Sequence, residues 1–330
     1  MTKGELDVLG VGNAIVDVFA HADDDVLRRH GLPKGVMTLI DAERAVDLYG
    51  AMGPGIEMSG GSCGNTIAGL ASLGARCAYV GRVRDDQLGE IFRHDVRSLG
   101  VEFDTPPATE GKPTARCLVY VTPDAQRTMA TFLGVCTELN EADIDEAQVA
   151  RAKVTYLEGY LWDDPRAKAA LLKAAGAAHG AGRRLAFTLS DPFCVDRHRD
   201  EFRDLIARHV DILFANEAEI CSLYRVEAFE DALARVGADC EVAVLTRSEK
   251  GSVVVTRGAV HRVPAEPVDR VVDTTGAGDL FAAGFLYGYT HGRGPEESAR
   301  IGGICAAEVI AHVGARPETN LAELVRARLG

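Results

Sequence analysis

The sequence has neither of the short spacings that hold a zinc ion or a redox-active pair of thiols. Its 330 residues include eight cysteines and nine histidines, but they form no C-x-x-C and no H-E-x-x-H motif. A zinc ribbon, a thioredoxin-type pair and a zinc protease are therefore not expected. The cysteines are spread along the chain, at Cys63, Cys77, Cys117, Cys136, Cys194, Cys221, Cys240 and Cys305.

Positive charge is scarce, and long apolar runs are missing. The 36 basic and 49 acidic side chains give a formal net charge of −13. This argues against nucleic acid or an anionic membrane as a partner, because both bind clustered Lys and Arg. No apolar run reaches the roughly 18 residues of a membrane-spanning helix, and the first residues lack a signal-peptide pattern. We therefore expect a cytoplasmic protein with reduced thiols.

The composition is that of an ordinary globular protein, with 47% apolar and 26% charged residues. Short apolar runs alternate with helical segments, which predicts an α/β fold around a mostly parallel sheet. The predicted strands are residues 6–12, 77–83, 154–157, 184–189, 211–214 and 242–246. The predicted helices are residues 41–53, 86–99, 165–179, 197–208, 217–224, 278–289 and 295–312.

One segment interrupts this alternation. Residues 115–122 and 127–132 flank a polar turn at 123–126, which predicts a β-hairpin. In an α/β protein such a hairpin is either a lid or oligomer contact, or simply an antiparallel extension of the sheet edge.

The strongest chemical signal is D-T-T-G-A-G-D, from Asp273 to Asp279, which leads into a helical run. The small residues Gly276, Ala277 and Gly278 let a ligand approach the backbone, and N–H groups at a helix start favour an anion. Asp279 beside such an anion hole suits the removal of a proton from a hydroxyl that attacks a phosphoryl group. The alternative is a structural turn in which Asp279 stabilises the first helical turn.

A second polar pair follows a predicted strand. Asn216 and Glu219 stand three residues apart at a predicted helix start and therefore share a face. An amide and a carboxylate there suit the waters around Mg²⁺, which keeps much of its hydration shell. The same spacing is that of an Asn N-cap with its acidic capping-box partner, and on spacing alone this structural interpretation is favoured.

The glycine pair Gly10 and Gly12 follows the first predicted strand. A dinucleotide fingerprint needs a third glycine, but Ile15 stands in its place. Asn13 and Asp17 remain as a polar pair near a strand end, where ligands of α/β proteins bind.

Residues 59–65 contain a G-x-S-x-G motif with Ser62 as the candidate nucleophile of a serine hydrolase. A hydrolase elbow needs a buried strand before the turn, and residues 53–58 are a poor strand sequence. We therefore prefer a glycine turn that presents N–H groups and Asn65 to a polar ligand. A P-loop is absent, because Pro106 and Pro113 interrupt the only similar segment.

Together these segments resemble the ribokinase-like (PfkB) family of carbohydrate and nucleoside kinases. The resemblance covers essentially the whole chain, and its two signature regions are residues 60–81 and 272–279. It implies one kinase domain, residues 1–330, built as a three-layer α/β/α sandwich with a mostly parallel sheet. A small β-sheet lid would be formed by insertions near 14–40 and 112–134.

The resemblance also implies roles for individual residues. Asp279 matches the catalytic base, and Arg127 matches a lid arginine that reaches the phosphates. The catalytic anion hole would be Gly276, Ala277 and Gly278. Asn216 and Glu219 match an element that organises Mg²⁺ through water. The acceptor-binding residues would be Asn13, Asp17, Gly60, Gly61 and Asn65. The ATP-binding residues would be Asn216, Thr246, Gly251, Gly276 and Gly278.

Within the family, residues 158–162, 188–193 and 211–217 look most like segments of adenosine kinases. Leu161 and Phe193 would then belong to the apolar wall that a purine needs; the alternative is that Tyr160, Trp162 and Phe193 only fill the core at strand ends. The chain departs from the usual family pattern at Ala115 and at Ser248, which replace glycines, and Ser248 takes a positive φ less readily than glycine.

The sequence therefore predicts a kinase that transfers the γ-phosphate of ATP to the 5′-hydroxyl of a ribonucleoside, adenosine before others, with Mg²⁺ as cofactor. A requirement for a monovalent cation such as K⁺, and the choice between monomer and homodimer, stay open. The alternatives are a sugar kinase of the ribokinase or fructokinase type and, in another class, a serine hydrolase acting through Ser62. The expected partners are a nucleoside or sugar and ATP, with no nucleic acid and no membrane.

Overall fold

Two β-sheets organise the computed structural model, which describes residues 4–124 and 126–330. In chain order, the strands over these residues are β1 (Leu6–Val11), β2 (Ile15–His21), β3 (Met37–Leu39), β4 (Gly55–Gly60), β5 (Cys77–Val80), β6 (Ala115–Val121), β7 (Arg127–Phe132), β8 (Ala152–Glu158), β9 (Arg184–Thr188), β10 (Ile212–Asn216), β11 (Val242–Thr246), β12 (Ser252–Thr256) and β13 (Ala259–Val263).

The helices of the same ranges are α1 (Asp24–Arg29), α2 (Ala42–Ala51), α3 (Ser62–Ser72), α4 (Gln87–Ser98), α5 (Glu146–Arg151), α6 (Pro165–Gly180), α7 (Pro192–His209), α8 (Glu217–Tyr224), α9 (Phe229–Asp239), α10 (Ala277–Thr290), α11 (Pro295–Val309) and α12 (Leu321–Leu329). Most begin at an acidic or amide N-cap, as at Asp41, Asp86 and Asp164, whose side chains accept from main-chain N–H groups of the first turn. No helix in the described ranges is both long and apolar enough to cross a bilayer.

The larger sheet has eight strands in the order β13-β12-β11-β10-β9-β8-β1-β5. Its strands are parallel except β12 and β13, which form an antiparallel edge. One face packs against a core shared with α6, α7, α8 and α9, and the other packs against α3 and α10. The predicted three-layer α/β/α arrangement with a mostly parallel sheet is therefore confirmed.

The smaller sheet has five strands in the order β3-β7-β6-β2-β4, and α2 and α4 pack against it. The predicted hairpin corresponds to β6 and β7, which pair antiparallel from Arg116–Phe132 to Val121–Arg127. Ala125, in the predicted turn, lies outside the described residues. The sheet brings strands from both predicted lid insertions together with β4.

Strand β4 corrects the expectation that the residues before Gly61 make a poor strand. It pairs antiparallel with β2, from Gly60 opposite Ile15 to Gly55 opposite Ala20. The strand propensity of these residues is weak, but their main-chain hydrogen bonds with β2 hold them in the extended conformation of a strand. Smaller corrections are boundaries: the strand predicted at 77–83 ends at Val80, the helix predicted at 197–208 begins at Pro192, and that at 295–312 ends at Val309.

Helices α10 and α11 touch backbone to backbone. A Cβ atom at Gly284 would lie 2.7 Å from both the Cα and N atoms of Gly302. Because backbone atoms cannot swing aside as a flexible side chain can, an added methyl group would push the two helices apart.

We therefore expect Gly284→Ala to lower the free energy of unfolding by about 1–3 kcal/mol, measured by urea denaturation. Gly176→Ala is the matched control, because Gly176 lies in α6 with no neighbouring atom within 4 Å of an added Cβ. It should raise stability by about 0.5–1 kcal/mol through helix propensity. Equal effects at both positions would contradict the close packing of α10 on α11.

Candidate active site

A cavity of about 940 Å³ opens at the carboxyl ends of the parallel strands, the edge where α/β proteins bind ligands. The ends of β9, β10 and β11, the start of α10 and one side of α11 surround it. The predicted site residues that line it are Asn216, Glu219, Thr246, Gly251, Ala277, Gly278 and Asp279. Its apolar side, for which no sequence pattern gave a signal, is formed by Pro264, Ala265, Val268, Ala306 and Ile310.

Asp279 lies in the first turn of α10, which begins after Gly276 in a left-handed conformation with φ +78°. The Ser62 hydroxyl donates to its Oδ1 at 2.7 Å, and the Asn65 amide donates to its Oδ2 at 3.0 Å. Burial raises the pKa of Asp279 to about 6, while these two donors and the charge of Arg316 oppose the rise. A carboxylate with this pKa is ionised at neutral pH and basic enough to accept a proton.

The predicted acceptor residues converge beside Asp279. Asp17 lies on β2 against Gly60. A Cβ atom added to Gly60 would lie 2.3 Å from the Oδ2 atom of Asp17. Burial raises the pKa of Asp17 to about 6, and Arg316 and Arg127 oppose this. The Oδ1 atoms of Asn13 and Asn65 are buried without a hydrogen-bond partner. Buried acceptors of this kind suit the hydroxyl groups of a ligand.

Asn216 and Glu219 form the capping box that the structural interpretation predicted. Asn216 N and Nδ2 donate to the Glu219 carboxylate at 2.9 and 2.6 Å, and Glu219 N donates back to Asn216 Oδ1 at 2.9 Å. Burial raises the pKa of Glu219 to about 7. The described residues contain no group of three or more metal-ligating side chains. The Asn216 amide and the Glu219 carboxylate on the cavity wall are the kinds of group that hydrogen-bond to the waters of a hydrated divalent cation.

The loop after β11 carries the backbone strain expected at Ser248. This residue has φ +51°, a conformation that glycine adopts more easily. Thr246, Ser248 and Gly251 all line the cavity, so the loop closes one side of the space that the sequence analysis assigned to ATP.

Arg127 is held at the junction of the two sheets. Its guanidinium forms an ion pair with Asp273, and both side chains are about nine-tenths buried. The same guanidinium lies over the Phe19 ring, 5.1 Å from its centroid. In this arrangement Arg127 connects the smaller sheet to the loop before the anion hole.

The predicted base-contacting residues lie in two different environments. Leu161 is only 2% exposed and belongs to the main core, as does Trp162, which packs edge-on against Phe187 and Phe202. Phe193 is 74% exposed at the start of α7. Core packing surrounds the Leu161 side chain, while Phe193 is open to solvent, and the contact of either residue with a ligand stays a prediction.

Two functional neighbours of Asp279 were not assigned to a kinase site from the sequence. Ser62 was considered only as a hydrolase nucleophile, yet its hydroxyl donates to a carboxylate rather than to the histidine that a hydrolase elbow requires. Its spacing from Asn65, one helical turn, is the signal that would have paired them on one face of α3. Arg316 has no local motif that would have identified it.

A glycine-led helix start, a carboxylate held beside it and a cavity at the strand ends define a phosphotransferase of the ribokinase-like fold. The chain belongs to the pfkB family of carbohydrate kinases, whose family model matches residues 39–321. It is accordingly an enzyme that transfers phosphate from ATP, with a divalent metal, to a hydroxyl group.

Relatives and solved structures agree with this family and fold. The chain is 26% identical to adenosine kinase 1 of Arabidopsis thaliana, over 95% of this chain and 97% of the relative. It is 30% identical to an ATP-dependent ribose-1-phosphate kinase of Halopiger xanaduensis, over 79% of this chain and 83% of the relative. The crystal structure of adenosine kinase from Sinorhizobium meliloti superposes with a TM-score of 0.90 at 53% identity, covering 98% of this chain and all of that one.

The contact between Gly60 and Asp17 gives a test of the acceptor side. In Gly60→Ala the new methyl group must displace the Asp17 carboxylate, so we expect the KM for the acceptor to rise about tenfold or more, the cost of about one hydrogen bond to a charged group. Steady-state kinetics with adenosine and ATP should show little change in the KM for ATP.

The control is Gly50→Ala, because Gly50 in α2 has no atom within 4 Å of an added Cβ. It should leave both KM values unchanged. If Gly60→Ala raised the KM for ATP and not that for the acceptor, Asp17 would not belong to the acceptor site.

Proposed function

We propose that this chain is an adenosine kinase that converts adenosine and ATP to AMP and ADP. The observation that carries the chemistry is the buried Asp279 carboxylate, held by Ser62 and Asn65 at the edge of a cavity at the N-terminus of α10. The choice of adenosine is supported by the 53% identity to the Sinorhizobium meliloti enzyme over 98% of this chain.

In the proposed reaction, Asp279 takes the proton of the 5′-hydroxyl as its oxygen attacks the γ-phosphorus. The new O–P bond forms as the bond to the β–γ bridging oxygen breaks, and ADP leaves. The N–H groups of residues 276–278 stabilise the negative charge on the transferring phosphoryl group. The divalent metal supplies further positive charge at the phosphates when it is bound.

The remaining assignments are part of the same proposal. Asn13, Asp17, Gly60, Gly61 and Asn65 bind the sugar hydroxyls, and Thr246, Gly251 and Asn216 face the nucleotide. Mg²⁺ is the metal, with Asn216 and Glu219 orienting its waters. Arg127 exchanges its ion pair with Asp273 for the phosphates of ATP. The domain spans 1–330, with the lid segments 14–40 and 112–134. Eight free cysteines support a cytoplasmic location.

A sugar-directed kinase is the second candidate. The resemblance to a ribose-1-phosphate kinase favours it, as does the burial of Leu161, which is not among the residues that line the cavity. A coupled assay of ADP release with Mg²⁺, run with and without K⁺, should compare adenosine, cytidine, ribose, fructose and ribose 1-phosphate. Turnover with adenosine well above the others supports the proposal, and turnover with a sugar or sugar phosphate alone overturns the nucleoside assignment.

Removing the proposed base tests the chemical step. Asp279→Asn should lower kcat by about 10²–10⁴, the contribution of a positioned acid–base group. Because Asp279 has a pKa of about 6 in the folded protein, kcat of the wild type at saturating substrate should fall below about that pH as the carboxylate is protonated. The residual kcat of Asp279→Asn should lack this fall, whereas the KM for the acceptor keeps the pH dependence that Asp17, also with a pKa of about 6, imposes on binding.

The control for this experiment is Asp47→Asn, on the exposed side of α2. It should match the wild type in both rate and pH profile. Near-normal turnover by Asp279→Asn would remove Asp279 from the role of base.

A further inference from the structure

Arg316, which follows α11 in the C-terminal part of the chain, clamps the turn at residues 59–64, where the end of β4 leads into the start of α3. Its Nε and Nη2 atoms donate to Ser59 O at 3.1 and 2.6 Å, and Nη2 also donates to Ser59 Oγ at 2.8 Å. Its Nη1 atom donates to Gly64 O at 3.0 Å. One guanidinium therefore holds both ends of the turn at residues 59–64.

This turn positions both carboxylates on the acceptor side. Gly60, near its first end, lies directly against Asp17. Ser62 and Asn65, which lie on either side of Gly64 at the second end of the turn, donate hydrogen bonds to Asp279. A displacement of the turn would therefore change the surroundings of both carboxylates together.

The two residues before Arg316 contact the other half of the site. Gly314 N donates to Asp273 Oδ2 at 2.9 Å. Ala315 packs closely on Gly276. A Cβ atom added to Gly276 would lie 2.8 Å from the Cα atom of Ala315. Residues 314–316 thus join the anion-hole loop to the turn at 59–64.

Arg316 also brings a positive charge to an acidic region. Its charge acts on Asp17 and on Asp279, lowering the pKa of each against the effect of burial. Asp95 of α4 lies behind it and accepts from Ser59 N and Oγ at 2.8 and 2.5 Å.

The other titratable groups that face Asp279 are Asp17 of β2, Glu158 and Tyr156 of β8, Cys63 of α3, Glu219 of α8 and Tyr160. All of them are neutral or negative, and Arg127 of β7 adds a positive charge on the Asp17 side.

We propose that Arg316 is a positioning residue of this kinase: it fixes the turn at 59–64 against the C-terminal loop, so that Asp17 and Asp279 keep their places on the acceptor side with its positive charge near both. The inference rests on the proposed function, in which Asp279 is the base. Arg316 acts through these two carboxylates.

The first test is the pH profile of kcat/KM with adenosine. Loss of the positive charge in Arg316→Gln should move the acidic limb to higher pH by about one unit or more, the usual effect of a neighbouring opposite charge. It should also raise the KM for adenosine. Arg316→Lys keeps the charge but cannot span both carbonyls, so the limb should stay in place while the KM rises.

The matched control is Arg183→Gln. Arg183 also donates to a main-chain carbonyl, Ala150 O at 3.1 Å, but at the amino ends of the parallel strands, away from the cavity. Its loss should leave the limb and the KM unchanged. An unshifted limb in Arg316→Gln, with kinetics like those of Arg183→Gln, would overturn the proposal and leave Arg316 with a structural role only.

A second measurement needs no substrate. A carboxyl whose pKa is higher in the folded than in the unfolded state binds its proton more tightly when folded, so stability falls as pH rises between the two values. Without the charge of Arg316 the pKa values of Asp17 and Asp279 in the folded protein should be higher, so the fall of stability with rising pH should continue to higher pH. The loss of stability in Arg316→Gln relative to the wild type should therefore grow between about pH 6 and 8, by about 1.4 kcal/mol for each unit of pKa shift, in urea unfolding.

The loss in Arg183→Gln should be the same at every pH in that range. A pH-independent loss in Arg316→Gln would overturn the charge role. If the wild type does not phosphorylate adenosine, the proposed function fails, and the unfolding comparison still decides whether Arg316 holds the carboxylates ionised.

Discussion

The hydrogen bonds that Ser62 and Asn65 donate to Asp279 are the contact on which the rest of the site depends. They join residues more than 200 positions apart and tie the start of α3, which follows a strand of the smaller sheet, to the start of α10 in the main body. A carboxylate buried without such donors would be protonated. With them, and with Arg316 nearby, it stays ionised at the point where two sheets and two helix starts meet.

The capping box at α8 is a structural feature that is compatible with the metal role proposed for the same two residues. Asn216 and Glu219 satisfy N–H groups at the helix start, which any helix requires. The same bonds fix both side chains on the cavity wall, since a capped helix start immediately after a parallel strand always faces the ligand edge of the sheet. In the proposed function, the bonds that start the helix would also hold these two side chains in place for the waters of the metal.

The sequence was sufficient where the signal is local. The strand Val242–Thr246 and the helix Glu217–Tyr224 match their predicted bounds, and the glycine-led start of α10 stands out by itself. It was insufficient where a partner that is distant in the sequence determines the conformation of a segment or the surroundings of a side chain. Strand β4 exists because β2 pairs with it, and Leu161 lies in the core because α7 covers it. Arg316 reaches Ser59 across 257 positions, a contact that no local pattern encodes.

The position of β1 has a consequence for how the chain acquires its structure during synthesis. From β8 to β13 each strand lies beside its neighbour in sequence, but β1 lies between β5 and β8, with Leu6 opposite Ala152. Because Ala152 comes 146 positions after Leu6, the second edge of β1 is covered only after β8 has been synthesised. Contacts of such high sequence separation form slowly, so β1 keeps one edge of unpaired main-chain N–H and C=O groups until β8 is available.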